Sequence, residues 1–136
     1  MPDATKHILL VEPEPMLRRT VAMTARSLNL GQVHEAATSA AALRLLSVRT
    51  FQGAVIAVDC VGSGKDSRYD LGLIDRLRAD AAANKQALPI AIMTETATPE
   101  LLSDLRERRI SRVILKPFRA RVVLDTIETM CRSGKT

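Results

Sequence analysis

The sequence is poor in aromatic residues: it contains no Trp, one Tyr and two Phe among 136 residues. Hydrophobic residues still make up 46% of the chain, so the core has to be built mainly from Ala, Val, Leu and Ile. No run of about 18 apolar residues occurs, which argues against a membrane-spanning helix. The first residues also lack the basic-then-apolar order of a secretion signal. We therefore expect a cytoplasmic protein with no membrane partner.

Cysteine is equally scarce. Cys60 and Cys131 are far apart and form no CxxC motif, which argues against a disulfide framework and against a zinc site. The length suits one domain, and we predict a single domain over residues 1–136 with a core of about 6–132. The 20 basic and 15 acidic residues give a net charge of +5. This excess favours an anionic partner without identifying its class.

Apolar segments of strand length alternate with amphipathic segments of helix length, which is the pattern of consecutive βαβ units. The predicted strands are 7–11, 33–36, 54–58, 87–93 and 112–115. The predicted helices are 16–28, about 39–48, one that Asp70 caps, one that begins at Thr98 and Pro99, and 119–132. Thr38 or Ser39 is the expected cap of the second helix. Asn29 and Gly31 are the expected stop of the first.

Three strand ends carry distinctive residues: Leu9-Leu10-Val11-Glu12, Met93-Thr94-Glu95 and Leu115-Lys116-Pro117-Phe118. With the five βα units, they resemble the receiver domain of two-component response regulators, of the stand-alone, CheY-like kind. The resemblance implies an α/β fold, the doubly wound (βα)5 flavodoxin-like sandwich with a five-stranded parallel sheet in the order 2-1-3-4-5. It also implies a role in signal transduction or a phosphorelay and no enzymatic activity.

The resemblance assigns roles to residues at the carboxyl ends of the strands. In the family, an acidic pair and a phosphoacceptor aspartate hold Mg²⁺, while a Thr and a Lys contact the phosphoryl oxygens. Thr94 and Lys116 match the last two positions. An alternative for Lys116 is that it neutralises Glu12 and Asp59. The Lys116–Pro117 bond is a candidate for the cis form.

The acidic positions depart from the family pattern. Glu12 matches the first acidic position, but Pro13 stands at the second, with Glu14 next to it as an acidic candidate and Glu35 not far away in sequence. A gapless register places Ala57 at the phosphoacceptor position, and we favour it because the preceding elements fit unshifted. A two-residue insertion would place Asp59 there instead, and Glu12 and Asp59 would then be the metal ligands. We expect no cofactor unless the chain is phosphorylatable, in which case we expect Mg²⁺.

A further departure concerns the aromatic switch residue of active receivers, which lies three residues before the Lys. Val113 occupies that position here. Without a ring, we expect weak coupling between Thr94 and the surface of the fourth helix.

Arginines cluster along the fourth helix, the fifth strand and the fifth helix, at Arg106, Arg108, Arg109, Arg112, Arg119 and Arg121. Arg suits bidentate contact with carboxylate or phosphate, and in receivers this face contacts partners. The candidates are a histidine kinase, a phosphotransferase or a downstream effector, with cyclic di-GMP as an alternative ligand. We expect no DNA binding, because no recognition-helix unit is present.

These observations predict a receiver-like protein that binds a protein partner, with phosphorylation impaired or absent. One alternative is a phosphorylatable receiver that uses Asp59 and Mg²⁺. The other is a cyclic di-GMP effector that uses the arginines.

Overall fold

The structure of the chain is a computed structural model, and it describes residues 6–59 and 68–133. In this part of the chain the strands are β1 (His7–Val11), β2 (Gln32–Ala36), β3 (Gly53–Ala57), β4 (Ile90–Thr94) and β5 (Arg112–Leu115). The helices are α1 (Pro15–Ser27), α2 (Ser39–Leu46), α3 (Gly72–Ala83), α4 (Pro99–Glu107) and α5 (Ala120–Ser133). The long loop predicted after the third strand lies mostly outside the described residues.

All neighbouring strands pair in parallel, in the order β2-β1-β3-β4-β5. The predicted fold is therefore confirmed. Parallel sheets are covered by helices on both faces, and alternate residues of β1 pack against the helix layers on opposite faces of the sheet. Ile8 and Leu10 pack with α1 and α5, whereas Leu9 and Val11 pack with α2, α3 and α4. No helix among the described residues has the length and apolar content needed to cross a bilayer.

The predicted element boundaries hold to within a few residues. β4 begins at Ile90, three residues later than expected, directly after Pro89, which cannot donate a ladder hydrogen bond. Thr38 and Thr98 cap α2 and α4 through their hydroxyls, as predicted. Asp70 accepts a hydrogen bond from the Gly72 N–H at 2.8 Å, although the cap position of α3 itself is Leu71.

Three helices end in the same way, with a left-handed residue after the cap. These residues are Asn29, Lys85 and Arg109, with φ of 56°, 52° and 57°. Each turn closes with the paired backbone bonds of a Schellman motif, for example Ile110 N–H to Leu105 O at 3.2 Å and Arg109 N–H to Arg106 O at 3.0 Å. Gly is the usual residue at this position, and none of the three turns uses it.

Candidate functional site

The carboxyl ends of β1, β3, β4 and β5 bring the predicted site residues to one edge of the sheet. Glu12 follows β1, Ala57 and Thr94 end β3 and β4, and Lys116 follows β5. The register places Ala57 opposite Met93 and Thr94 opposite Leu115. In doubly wound sheets this edge is where ligands bind.

Glu12 and Lys116 form a buried ion pair at this edge. Glu12 is only 1% exposed, and the Lys116 Nζ lies 3.0 Å from its Oε1 and 3.3 Å from its Oε2. The ammonium is aligned to donate to Oε2, which also accepts the Glu14 N–H at 2.9 Å. Oε1, although closer to Nζ, makes no aligned hydrogen bond with the described residues. Glu12 Oε1 is thus held by its attraction to the Lys116 charge, whereas Oε2 accepts hydrogen bonds from Lys116 and the Glu14 N–H.

Glu14, the second acidic candidate, has its carboxylate at the start of α1. Its Oε1 accepts the Met16 N–H at 2.9 Å and its Oε2 accepts the Leu17 N–H at 3.3 Å. This is N-capping, which satisfies two backbone donors and places negative charge at the positive end of the helix. The Glu14 carboxylate is therefore committed to the helix end.

Arg18 supports Glu12 from the same helix. Its Nη1 donates to the Glu12 carbonyl oxygen at 2.7 Å, and its Nε pairs with Glu35 on β2 at 3.3 Å. Arg19 lies 3.8 Å from the same Glu35 carboxylate. These contacts, with the Glu12 N–H to Ala36 O bond of 3.0 Å, hold the backbone of Glu12 against β2. Its side chain is held by the Glu14 N–H and the Lys116 ammonium.

The two phosphoacceptor candidates differ in position. Ala57 is the last residue of β3 and is half-buried, with its methyl group against the layer that contains α1 and α5. Asp59 is exposed two residues beyond the strand. It has no ion pair with Lys116, whose carboxylate partner in the described chain is Glu12.

The described residues do not fit a Mg²⁺ ion. Mg²⁺ prefers near-octahedral oxygen ligands, usually with more than one carboxylate or phosphate. Within residues 6–59 and 68–133, no three His, Cys, Asp or Glu side chains converge in a way that could hold a metal ion. Lys116 already supplies the positive charge that balances Glu12.

Thr94 and Val113 show how the predicted switch positions are used. Thr94 is fully buried, and its hydroxyl donates to the Thr96 carbonyl oxygen at 3.2 Å. Val113 is half-buried beside Ile92 and packs on the core cluster that contains Leu101 and Leu105 of α4. Its side chain therefore serves packing and carries no group that could follow the Thr94 hydroxyl.

An open cleft of about 400 Å³ leads from the solvent to Lys116. Its walls are Leu17, Glu95, Pro117 and Phe118. The Lys116–Pro117 peptide bond in this wall is cis, as the sequence suggested. The cleft gives the Lys116 end of the site access to a small ligand or a partner side chain.

The six arginines do not form one cluster. Arg106, Arg108, Arg109 and Arg112 lie near the start of β5, whereas Arg119 and Arg121 lie beyond its end. Arg108 pairs with Asp75 of α3 at 2.6 Å, and this hydrogen bond raises the pKa of Arg108. Arg112 donates to the Thr126 hydroxyl at 2.9 Å. The remaining four are exposed.

Sequence reasoning missed two connections to α4. The Arg78 guanidinium donates to the carbonyl oxygens of Arg108, Leu88 and Arg109 at 2.7, 2.6 and 2.8 Å. Burial lowers the pKa of Arg78, and the positive charge of Arg109 lowers it further. The Tyr69 hydroxyl donates to Asp104. No sequence motif marks either residue, because both act through carbonyls or side chains about 10 to 35 positions away.

Comparison with known proteins gives the fold class. No family model and no curated protein matches the sequence. Solved structures do match: Vibrio cholerae chemotaxis protein CheY4 has a TM-score of 0.71 at 18% identity, covering 93% of this chain and 98% of its own. The receiver domain of a Syntrophus aciditrophicus signal transduction histidine kinase has a TM-score of 0.73 at 17% identity, covering 96% and 93%.

An orphan response regulator of H. pylori gives a TM-score of 0.72 at 14% identity, covering 96% of this chain and all of its own. The chain therefore has the fold of CheY-like receiver domains, and the resemblance seen in the sequence is confirmed at the level of the fold.

Proposed function

We propose that this chain is a cytoplasmic, receiver-like signalling protein that acts by binding a protein partner and has impaired or no phosphorylation. The observation that carries the proposal is the Glu12–Lys116 ion pair beside a β3 strand that ends in Ala57. An alanine offers no nucleophile, and the lysine that would contact a phosphoryl group is already neutralised.

The chemistry of phosphoryl transfer supports this proposal. Transfer to an aspartate needs a carboxylate in line with the phosphorus and a cation that balances charge on the phosphoryl oxygens. Pro13 and Ala57 remove two of the family's three carboxylates, and Glu14 caps α1. A phosphoryl group would also have to compete with Glu12 for Lys116.

The face of α4, β5 and α5 is the proposed partner surface. Arg106, Arg109, Arg119 and Arg121 are exposed on it, and Leu115 of the edge strand is 54% exposed between them. An apolar centre flanked by arginines suits a protein with an acidic groove, such as a histidine kinase, a phosphotransferase or an effector.

Cyclic di-GMP is a second candidate ligand, favoured by the exposed Arg106 and Arg109. It has less support, since Arg108 and Arg112 are engaged with Asp75 and Thr126. Calorimetry with cyclic di-GMP tests it: heat that disappears in Arg109→Ala and Arg112→Ala would support this ligand, and no heat at submillimolar ligand would reject it.

Phosphorylation is tested directly with acetyl phosphate or beryllofluoride and Mg²⁺, read by intact mass and by NMR. We expect no mass increase and no shifts in the natural chain. The Pro13→Asp/Ala57→Asp double variant should show both the mass increase and the NMR shifts. The Pro13→Asp/Ala57→Asn variant, which lacks only the nucleophile, should not gain mass. A mass increase in the natural chain that Asp59→Ala abolishes would overturn the proposal in favour of the Asp59 alternative.

A further inference from the structure

The basic excess of the chain is concentrated at the end of the sheet opposite the candidate site. We call this end, where the strands begin, the amino edge. Because each helix runs back against the strands, the helix C-termini and the turns that follow them lie here. Backbone bonds join these turns to the strand starts, such as Gln32 N–H to Lys6 O and Ser111 N–H to Ile90 O, both 2.8 Å.

Six exposed basic side chains at the amino edge have no acidic partner within the described chain: Arg26, Arg44, Lys85, Arg106, Arg109 and Arg132. The acidic residues towards this end are fewer. Asp80 is paired with Arg76, and Glu107 and Glu128 are exposed. The amino edge is therefore a surface of unbalanced positive charge.

Helix electrostatics explains only part of this set. Arginine in a last helical turn offsets the negative end of the helix dipole, which accounts for Arg26, Arg44, Arg106 and Arg132. Lys85 and Arg109 lie beyond their helices in left-handed conformations. A side chain in this conformation is strained relative to Gly, so both cations are placed at the expense of stability.

Two exposed apolar side chains lie among these cations. Leu28, in the turn after α1, is 57% exposed, and Val48, in the turn after α2, is 75% exposed. Arg26 and Arg49 flank them in sequence. Phosphate-binding cations around protruding aliphatic side chains are the combination that binds an anionic lipid surface.

We propose that the amino edge docks on a bilayer that contains anionic lipids. The arginines and Lys85 contact headgroup phosphates, while Leu28 and Val48 enter the boundary between headgroups and acyl chains. The sequence predicted no membrane partner because it lacks a spanning segment, and surface docking needs none. The candidate site at the opposite edge then faces away from the bilayer. Arg106 and Arg109 lie at the membrane in this arrangement, so a protein partner bound at the same time has Arg119 and Arg121, beyond the end of β5, available to it.

Nucleic acid is the competing polyanion, and the structure favours lipid over it. Single-stranded nucleic acid is held largely by stacking on aromatic rings. Of the three Phe and Tyr residues in the described chain, Phe51 is buried, Tyr69 is tied to α4 and Phe118 lines the cleft beside Lys116 at the opposite edge. None of them offers a ring at this surface. Leu28 and Val48 have no role against a phosphate backbone.

Vesicle flotation tests the charge requirement. The natural chain should float with phosphatidylcholine vesicles that contain 30% phosphatidylglycerol (about one lipid in three), and not with phosphatidylcholine alone. Arg26→Gln should weaken binding about fivefold, since a basic residue near an anionic surface contributes about that much. Arg121→Gln removes the same charge from an exposed arginine in the first turn of α5, at the opposite end of the molecule, and should weaken binding less than twofold. Equal effects of the two variants, or no flotation of the natural chain, would overturn the proposal.

A second variant separates lipid from nucleic acid. Leu28→Gln/Val48→Gln should lose most vesicle binding while keeping the far-ultraviolet circular dichroism of the natural chain. Met23→Gln, at a 55% exposed position in the middle of α1, should keep vesicle binding. If the double variant still floats, or if a short duplex DNA binds more tightly than the vesicles at the same salt, the lipid assignment fails. Neither result depends on whether the chain is phosphorylated.

Discussion

At the scale of single residues, the buried Glu12–Lys116 pair is the feature that most constrains the candidate site. Burying two charges costs several kcal/mol each in desolvation, which their attraction and hydrogen bonds must offset. The Glu14 N–H and the Lys116 ammonium supply those contacts. The pair therefore adds little net stability when intact, but the loss of either member leaves the other charge uncompensated.

Lys116→Met should destabilise the chain by about 3 kcal/mol, because it leaves Glu12 buried without a counter-charge. Urea unfolding followed by circular dichroism measures this change. The control is Glu12→Gln/Lys116→Met, which removes both charges, keeps an acceptor for the Glu14 N–H and should recover most of the loss. If the free energy of unfolding of Lys116→Met lies within about 1 kcal/mol of that of the natural chain, the pair behaves as a surface ion pair.

A second residue-scale prediction concerns His34. Burial lowers its pKa below the ordinary 6.5, and the positive charges of Arg49 and His7 lower it further; its Nε2 lies 3.0 Å from His7 Nδ1. The unfolded chain therefore binds a proton before the folded chain does. This contribution to stability is complete above about pH 6.5 and falls as the pH drops towards the lowered value.

Unfolding titrations at pH 7.5 and pH 5 measure this effect. The free energy of unfolding should fall more steeply between these pH values in the natural chain than in His34→Gln, which has no proton to gain. The carboxylates contribute equally to both chains, so the difference reports His34 together with its contact to the His7 ring 3.0 Å away. Identical slopes would show that His34 titrates normally in the folded state.

At the scale of elements, α4 is tied to its surroundings more firmly than its own packing requires. Arg78 binds the carbonyls at its C-terminal end, Arg108 pairs with Asp75, and Asp104 accepts from Tyr69. Leu101 and Leu105 complete the attachment through the core. These links fix α4 against α3 independently of anything bound at the candidate site.

The turns after α3 and α4 offer a prediction at this scale. Arg109→Gly and Lys85→Gly should each stabilise the chain by about 0.5–1 kcal/mol, because Gly adopts the left-handed conformation without steric cost. Arg109→Gly should gain the most, since it also relieves the repulsion from Arg78. Thermal unfolding measures both variants. Arg109→Ala, which keeps the strained backbone and loses the charge, is the control, and a gain equal to that of Arg109→Gly would assign the effect to charge alone.

At the scale of the whole molecule, sequence patterns predict the secondary-structure elements and their order better than they predict side-chain contacts between distant elements. The strands are nearly continuous apolar runs, and the caps Thr38 and Thr98 are local signals, so element order and sheet order follow from them. Lys116 and Glu12 are also predicted at one edge of the sheet, because both flank carboxyl ends of parallel strands. The structure adds that Lys116 reaches Glu12 although β3 and β4 lie between their strands. Glu14 was predicted in the acidic pocket, yet its carboxylate caps α1, since it accepts the Met16 and Leu17 N–H groups that have no partner within the helix.

Contacts between distant elements could not be predicted in this way. The arginines looked like one cluster because they are close in sequence, but β5 separates them into two groups at opposite ends. The amino edge shows the reverse case: its cations come from four helix ends and two turns scattered between residues 26 and 132. Only the parallel topology brings them to one end of the molecule.

The last prediction concerns communication across the whole molecule and depends on the proposed function. In Pro13→Asp/Ala57→Asp treated with beryllofluoride and Mg²⁺, amide shifts should be confined to the carboxyl edge. Residues 103–107 of α4, beyond the first turn that lies at this edge, should hardly shift, because Val113 has no ring to follow Thr94 and because Arg78, Arg108 and Tyr69 hold the helix. Adding Val113→Tyr, together with Tyr69→Phe to release Asp104, should extend the shifts into α4. The double variant Pro13→Asp/Ala57→Asp could instead show amide shifts in α4 as large as those at the site. That result would show that α4 couples to the site without an aromatic switch. The restored site would then be a working receiver, and the natural chain would differ from it only in its missing carboxylates.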